Sequence, residues 1–504
     1  MNFFGEKKVN SKKIAIIGSG VAGMASAVRL AAQGHDVHVF EKNNDPGGKL
    51  TFFKLGQYAF DAGPSLFTQP QLIEELFSDC GVPMDKYFSY SRAEIACRYF
   101  FTSGKELTAW AHPDSLAEEM QKSLGEDAAT IRKYLARAKD SYEHLGQLFL
   151  TNSLHKWGTF FQKKVFPALF STRPSYLLQS MNAYNASWFS QPETVQLFNR
   201  YATYNGSNPY VAPAMLTMIP HLEFNEGTFY PKGGMISITQ ALVALAQELG
   251  VCFHMNTEVT EIQTNKNKVS GLTANDERHS FDLVVSNMDA YYTYKKLLKN
   301  EKKAANIKKQ ERSSSAMIFY WGINREFAQL DLHNIFFADN YKAEFDHLFH
   351  RKSLYQDPTI YINITSKMEA GMAPSGGENW FVMVNAPHDV GQDWESFRNQ
   401  TRQRVIEKLN HRLDTQLNDH IVEEAYLDPP MIDQKTHSHT GSLYGTSSNH
   451  LFSAFLRHAN FSRELSGLYF AGGSVHPGGG IPLCLQSGKI TAELIQKEYG
   501  TRPV

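Results

Sequence analysis

The sequence predicts an α/β protein in which a lobe built on a parallel sheet is interwoven with a second, α+β lobe. Three stretches predict it. Lys13 to Lys42 reads as strand, glycine turn, helix and strand; Tyr230 to Asp289 returns to that style; and Gly467 to Tyr499 is again strand, glycine turn and helix. The patterning between them differs. The first lobe is therefore expected to be discontinuous, comprising 1–85, 228–290 and 440–504, with 86–227 and 291–439 forming the second.

The N-terminal stretch carries the strongest local signal. Ile14, Ile16 and Ile17 make a short buried strand, and Gly18, Gly20 and Gly23 follow in the spacing GxGxxG. Met24 to Gln33 favours a helix, with Ala27, Leu30 and Ala31 on one side and Gly34 ending it. Val37, Val39 and Phe40 alternate as a second strand, and Glu41 stands 18 positions beyond Gly23. The first glycine permits a tight turn, the second a close approach of backbone to a pyrophosphate, and the third close packing of helix on strand. The helix N-terminus offers unpaired N–H groups to the same anion. Glu41 can accept hydrogen bonds from a ribose diol. A plain glycine turn leaves Glu41 unexplained, so the stretch predicts a Rossmann-like dinucleotide site.

Length and composition bound the rest. At 504 residues the chain has room for two or three domains of roughly 100–200 residues each. Hydrophobic content of 42% and charged content of 20% describe a folded protein, and a net charge of −1 gives no electrostatic reason to bind nucleic acid. Cys80, Cys97, Cys252 and Cys484 are scattered, without CxxC or a nearby histidine pair, which points to reduced thiols and no metal site. No secretion signal is read at the N-terminus, and no apolar run reaches the ~18 residues of a spanning helix.

In chain order, Asn44 to Lys49 brings a second glycine pair, Gly47-Gly48, and Lys49 is placed to meet phosphate charge; a plain hairpin turn is the alternative. The turn Asp61 to Ser65 follows, then a polar helix around 68–85. Residues 86–227 read as mainly helical, with an amphipathic helix from Pro113 to Leu135. From Tyr142 to Phe189 aromatic and aliphatic groups such as Trp157, Phe160 and Phe166 interleave with Lys156, Lys163, Lys164 and Arg173. This segment, 142–190, fits a helical lid lying in the membrane interface, or the core of a lid, or both. Tyr230 to Met235 opens a helix with Leu242, Leu245 and Leu249, and short extended pieces run to Asn287. Met317–Ile323, Thr359–Ile364 and Trp380–Val384 read as strands of a second sheet, and 391–418 as a charged helix. The closing turn, Gly472 to Pro482, precedes a helix from Leu485 to Tyr499 and could face the redox ring of a flavin.

Taken together, GSGVAGMASAVRLAAQGHDVHVFEKNNDPGGK, DAGPS, YPKGGM and GLYFAGGSVHPGGGIP resemble the phytoene-desaturase-type carotenoid desaturases, within the flavin-dependent amine oxidase superfamily. The resemblance spans Lys13 to Leu494 and looks strongest toward bacterial enzymes that introduce the 3,4 double bond into a 1-hydroxylated carotenoid end. It implies FAD in extended form, with Glu41 on the ribose, Gly48 and Lys49 near the pyrophosphate, Val259 at the adenine, and Ser474, Ile481 and Pro482 beside the isoalloxazine. The candidate cofactor-binding set is Gly18, Ser19, Gly20, Ala22, Gly23, Glu41, Lys42, Gly48, Lys49, Gly63, Pro64, Val259, Asn287, Gly473, Ser474, Ile481 and Pro482. Ser474 stands where threonine is usual, and Gly479-Gly480 and Leu483 to Leu485 also depart from the phytoene pattern. These departures bear on the substrate, not on FAD.

The implied reaction removes two hydrogens from an acyclic or monocyclic (gamma-carotene-type) polyene. It needs an apolar tunnel and a protein group to handle a proton. Glu223 is a candidate for proton handling or end-group binding, against the alternative of a salt bridge joining the lobes. His476 is a second candidate, against the alternative of supporting the glycine turn. Trp188, Tyr204 and Tyr210 are expected on the tunnel wall or in the core. The electron acceptor would be oxygen or a quinone, and the protein would sit peripherally on the cytoplasmic face of the cell membrane. Other polyene chemistry (phytoene desaturation, isomerisation, terminal oxidation) is the neighbouring reading. A soluble amine oxidase is the more distant one.

Overall fold

The computed structural model describes residues 11–146, 150, 152–153, 155, 176, 178–450 and 457–500. Five parallel strands form one sheet, in the order Leu468–Phe470, Leu283–Ser286, Lys13–Ile17, Asp36–Phe40 and Cys252–His254. Near-continuous apolar runs suit strands covered on both faces. Ile14 and Ile16 point to one core with Val37 and Val39, while Ala15, Ile17 and Phe40 point to the other.

The helices Val21–Ala32, Ile236–Glu248 and Ile481–Tyr499 cover the first face. The first and last of these lie in direct contact, so the two ends of the chain meet. Gly23 explains the tight start of the N-terminal helix: a Cβ there would come within 2.3 Å of the Gly18 carbonyl oxygen. On the other face the strands Val259–Asn265, Lys268–Ala274 and Glu277–Ser280 form an antiparallel sheet.

The second sheet has seven strands, in the order Ile421–Leu427, Ser315–Ile323, Glu378–Ala386, Ile360–Ile364, His333–Phe336, Ile95–Phe100 and Glu106–Trp110. Ser315–Ile323 pairs with Glu378–Ala386 over its whole length. The period of two then divides the side chains. Met317, Phe319, Trp321, Trp380, Val382 and Val384 face a core closed by the helix Trp394–Leu413 through Val405, Ile406 and Leu409. Ile318, Tyr320 and Phe381 face the opposite way, toward Tyr58 and Phe60.

Several sequence readings are corrected. Residues 86–227 are not mainly helical at their start: Ile95–Phe100 and Glu106–Trp110 are strands of the seven-stranded sheet. Their short apolar runs carry no period that separates strand from helix; the sheet neighbours decide. The single helix expected over Pro113 to Leu135 is two, Pro113–Leu124 and Ala128–Ser141. Gly125, at φ +81°, ends the first, and Asp127 caps the second by accepting from the Ala129 and Thr130 N–H groups. The C-terminal helix begins at Ile481, with Pro482 in its first turn, where a missing N–H costs nothing. Most of the aromatic segment 142–190 lies outside the described residues; its ends show Tyr176 buried and Leu178 83% exposed.

Candidate cofactor and substrate site

A cavity of about 920 Å³ lies between the two sheets. Every sequence-predicted site residue lines it except Ser19 and Gly23. Gly23 packs helix on strand. Ser19 is fully buried and acts on Glu41: its N–H and its hydroxyl both donate to Glu41 Oε2, at 2.9 and 2.7 Å. Asn43 donates its N–H and Nδ2 to Oε1, at 3.0 and 2.9 Å. The carboxylate is thus held at the cavity wall by four protein donors.

Both glycine turns end in a helix N-terminus with no side-chain cap. Gly20 precedes Val21–Ala32 and Gly480 precedes Ile481–Tyr499, and neither first turn carries an acid. The first N–H groups of a helix have no intrahelical partner and carry partial positive charge. Here Gly20, Val21 and Ala22 of one turn and Gly480, Ile481 and Pro482 of the other border the same cavity.

Asn287 ties the turns together. Its Nδ2 donates to the Ala471 carbonyl at 2.9 Å, and its Oδ1 lies where a Cβ on Gly20 would come within 2.7 Å. Ser474 Oγ accepts from the Ala290 N–H at 3.0 Å, fixing the second turn to the middle segment of the chain. Val259 is buried at the cavity edge, and Gly63 passes so close to Lys49 that a Cβ would fall 1.9 Å from its carbonyl oxygen.

Two cations line the cavity wall, Lys49 half-buried and Arg457 buried. Lys49 Nζ donates to the Leu443 carbonyl at 2.8 Å, and burial lowers the ammonium's pKa. Arg457, unforeseen from sequence, donates Nη1 to the carbonyls of Tyr444 and Gly473, and burial lowers it to about 10. Among the described residues neither forms an ion pair. Buried charge without a partner is costly. An anionic group such as a pyrophosphate would fit between them. Lys42, by contrast, has partners: its Nζ donates to the Gln434 carbonyl at 3.1 Å and meets His437 Nε2 at 3.3 Å.

The two acid–base candidates differ. His476 Nε2 meets the Asn152 carbonyl at 2.9 Å, and its backbone carbonyl accepts from Asn460 Nδ2 and Ser487 Oγ at 2.8 and 2.9 Å. Glu223 is 1% exposed and pairs with Arg200 Nη2 at 3.2 Å. Both partners come from the segment 86–227, so the pair does not bridge the lobes as one reading of Glu223 supposed. Of the three aromatic wall candidates, Tyr204 lines the cavity, whereas Trp188 and Tyr210 pack against the helical core.

The family model for flavin containing amine oxidoreductases matches residues 21–496. The chain belongs to this family. Its cofactor is FAD, and the protein is an FAD-dependent oxidoreductase. Among curated family relatives, the 1-hydroxycarotenoid 3,4-desaturase of Flavobacterium sp. (strain P99-3) is 49% identical, over 96% of this chain and 99% of its own. The 4,4'-diapolycopene oxygenase of Methylomonas sp is 32% identical over 96% and 98%. Cyclohexylamine oxidase from Brevibacterium oxydans shares the flavin-enzyme fold, with TM-score 0.60 at 13% identity over 97% of this chain and 99% of that one. The flavoprotein fold accounts for the two uncapped helix ends and the two cations at the cavity wall: they fit an extended dinucleotide. Among the described residues no group of side chains could hold a metal, and no helix is long and apolar enough to cross a membrane.

Proposed function

We propose that this oxidoreductase is a carotenoid desaturase that removes two hydrogens from the 3,4 bond of a 1-hydroxylated acyclic or monocyclic polyene. The observation that carries the reading is the continuity of the cavity. From the two glycine turns it runs on past Leu150, Leu216, Met218, Ile219 and Leu222, an apolar reach with the character a polyene needs. The 49% identity to a relative named for that reaction supports it over nearly the whole chain. Bound FAD supplies a two-electron acceptor for hydride. The chain's own residues exclude water, align the target bond and deal with the proton. We assign His476 to supporting the second glycine turn, because its Nε2 and its backbone carbonyl already have partners. Glu223 remains the group for proton handling or end-group binding.

We read 1–85, 228–290 and 440–504 as the cofactor lobe and 86–227 with 291–439 as the substrate lobe. In this reading 142–190 rests on the cytoplasmic face of the cell membrane, where the substrate dissolves. The exposed Leu178 and the lysines of this segment support that placement. Oxygen or a quinone reoxidises the flavin. The test is to supply FAD-loaded protein with 1-hydroxylated carotenoid in liposomes and weigh the product. A loss of two hydrogens is expected. An unchanged mass would mean isomerisation, a gained oxygen terminal oxidation, and no product from any carotenoid would sink the reading.

A further inference from the structure

Beside the apolar reach of Leu216, Met218, Ile219 and Leu222, the cavity meets a polar cluster. The Arg200 guanidinium lies 4.4 Å from the centroid of the Tyr201 ring and also faces the rings of Tyr99 and Tyr204. It pairs with Glu223, and Glu223 in turn accepts from the Tyr201 hydroxyl at 3.0 Å and from the Tyr204 hydroxyl. The ion pair is neutral as a unit, and its charges are well solvated by hydroxyl groups.

Three atoms around it have no hydrogen-bond partner among the described residues. They are Arg200 Nε, His333 Nε2 and Tyr341 Oη, on residues that are 9%, 2% and 5% exposed and that all line the cavity. His333 Nδ1 meets Asn363 Nδ2 at 3.2 Å and the Tyr361 hydroxyl at 2.8 Å, which leaves Nε2 as its open ring nitrogen among the described residues. Burial lowers this imidazole to about 3, and Arg200 adds to the effect, so it is neutral. Buried polar atoms left without a partner are costly. A cavity meant for hydrocarbon alone has no use for them.

The chemistry of this set selects its ligand. A carboxylate or phosphate finds no net positive charge here, because Glu223 already neutralises Arg200. A bare hydrocarbon would leave these atoms unsatisfied. An alcohol fits, because its oxygen can accept from the Arg200 Nε–H while its O–H donates to Tyr341 Oη or His333 Nε2, leaving the four hydrogen bonds of Glu223 in place.

The backbone just beyond Tyr204 approaches the second glycine turn. Gly206, two residues from Tyr204, abuts Tyr444, where a Cβ would come within 2.8 Å of the ring. Tyr444 in turn abuts Gly479 of the second glycine turn, where a Cβ would come within 3.0 Å. A hydroxyl at C1 is separated from the 3,4 bond by a single intervening carbon, so both ends of that short span must fit here.

We infer that the Arg200–Glu223–Tyr204 cluster, with His333 and Tyr341, is the subsite that binds the hydroxyl of the substrate's end group and so sets which bond lies at the flavin. The inference rests on the desaturase reading and names its specificity-determining residues. Glu223 then acts by holding Arg200 in place.

The experiment compares a 1-hydroxylated polyene with its otherwise identical unhydroxylated counterpart, using wild type, Tyr204→Phe and Tyr341→Phe. Two quantities are read: kcat/KM of the FAD-loaded enzyme, and polyene affinity of the FAD-free protein from the shift in polyene absorbance. FAD content and Tm control for folding. The wild type should prefer the hydroxylated polyene in both measurements. Each variant should lower that preference by about 10-fold or more, mainly by weakening the hydroxylated ligand. Equal losses for both polyenes, an unchanged preference in the variants, or a wild type that does not discriminate would each overturn the subsite. A wild type that turns over neither polyene overturns the desaturase reading instead.

Discussion

Gly488 of the C-terminal helix packs against Ala25 of the N-terminal helix so closely that a Cβ on Gly488 would come within 2.7 Å of the Ala25 Cβ and 2.8 Å of the Ala22 carbonyl. This contact holds the two glycine turns at a fixed separation, since each turn begins the helix on its side. Residues more than 460 positions apart in sequence thereby border one cavity. Gly488→Val should cost about 1–3 kcal/mol through overpacking. It should also raise the Kd for FAD, although it touches no cofactor atom. Thermal unfolding and flavin titration measure the two effects; an unchanged FAD affinity in a destabilised variant would separate the helix contact from the site.

The two cations at the cavity wall predict effects of opposite sign. Lys49→Met removes a desolvated charge, so the FAD-free protein should be as stable as the wild type or more stable, within the roughly 1–4 kcal/mol seen when buried charges are replaced by apolar groups. FAD affinity should fall at least about 10-fold, or about 1.4 kcal/mol. Urea denaturation of the FAD-free form and flavin fluorescence of the loaded form report the pair. A variant that loses stability while keeping its FAD affinity would show that Lys49 serves the fold alone.

Glu41 is anchored by Ser19 and Asn43, which leaves its carboxylate fixed beside the cavity. Hydrogen bonds to a charged group contribute roughly 1.5–3 kcal/mol. Glu41→Ala should therefore weaken FAD by about 10- to 100-fold, with riboflavin binding affected much less because it lacks the adenosine ribose. Equal losses for FAD and riboflavin would place Glu41 elsewhere on the cofactor.

The local chemistry of this site was legible in the sequence because it is local. GxGxxG, Glu41, the second glycine pair and the HPGGGIP turn are fixed by backbone demands that only neighbouring residues can meet. The strands Met317–Ile323 and Trp380–Val384 were legible from their long β-rich runs. Ile95–Phe100 and Glu106–Trp110 were not, since nothing in six residues says which sheet will receive them. Arg457, Arg200, His333 and Tyr341 were not either. Each is a single polar residue without a motif, and topology alone brings it to the cavity.

Asp61 gives a pH test. It accepts from the Met235 N–H at 3.1 Å and from the Tyr230 hydroxyl at 3.3 Å, yet burial raises its pKa from 3.8 to about 6. A carboxyl raised in the folded state contributes stability that is present in full below its unfolded pKa and is lost as pH rises through about 6. Relative to wild type, Asp61→Asn should therefore gain up to about 3 kcal/mol between pH of about 4 and about 7. Urea midpoints of both proteins across that range read the difference, and a flat difference would show that Asp61 is not raised by burial.

The central claim is that the cavity would bring a polyene to FAD at the two glycine turns, with FAD as the two-electron acceptor for hydride and the chain's own residues dealing with the proton. Anaerobic mixing of the FAD-loaded protein with a 1-hydroxylated carotenoid tests it most directly. The visible band of the oxidised flavin should bleach as the polyene band shifts to the red, with one desaturated product formed per flavin reduced. A product formed while the flavin stays oxidised, or a flavin that stays oxidised with every carotenoid offered, would contradict it.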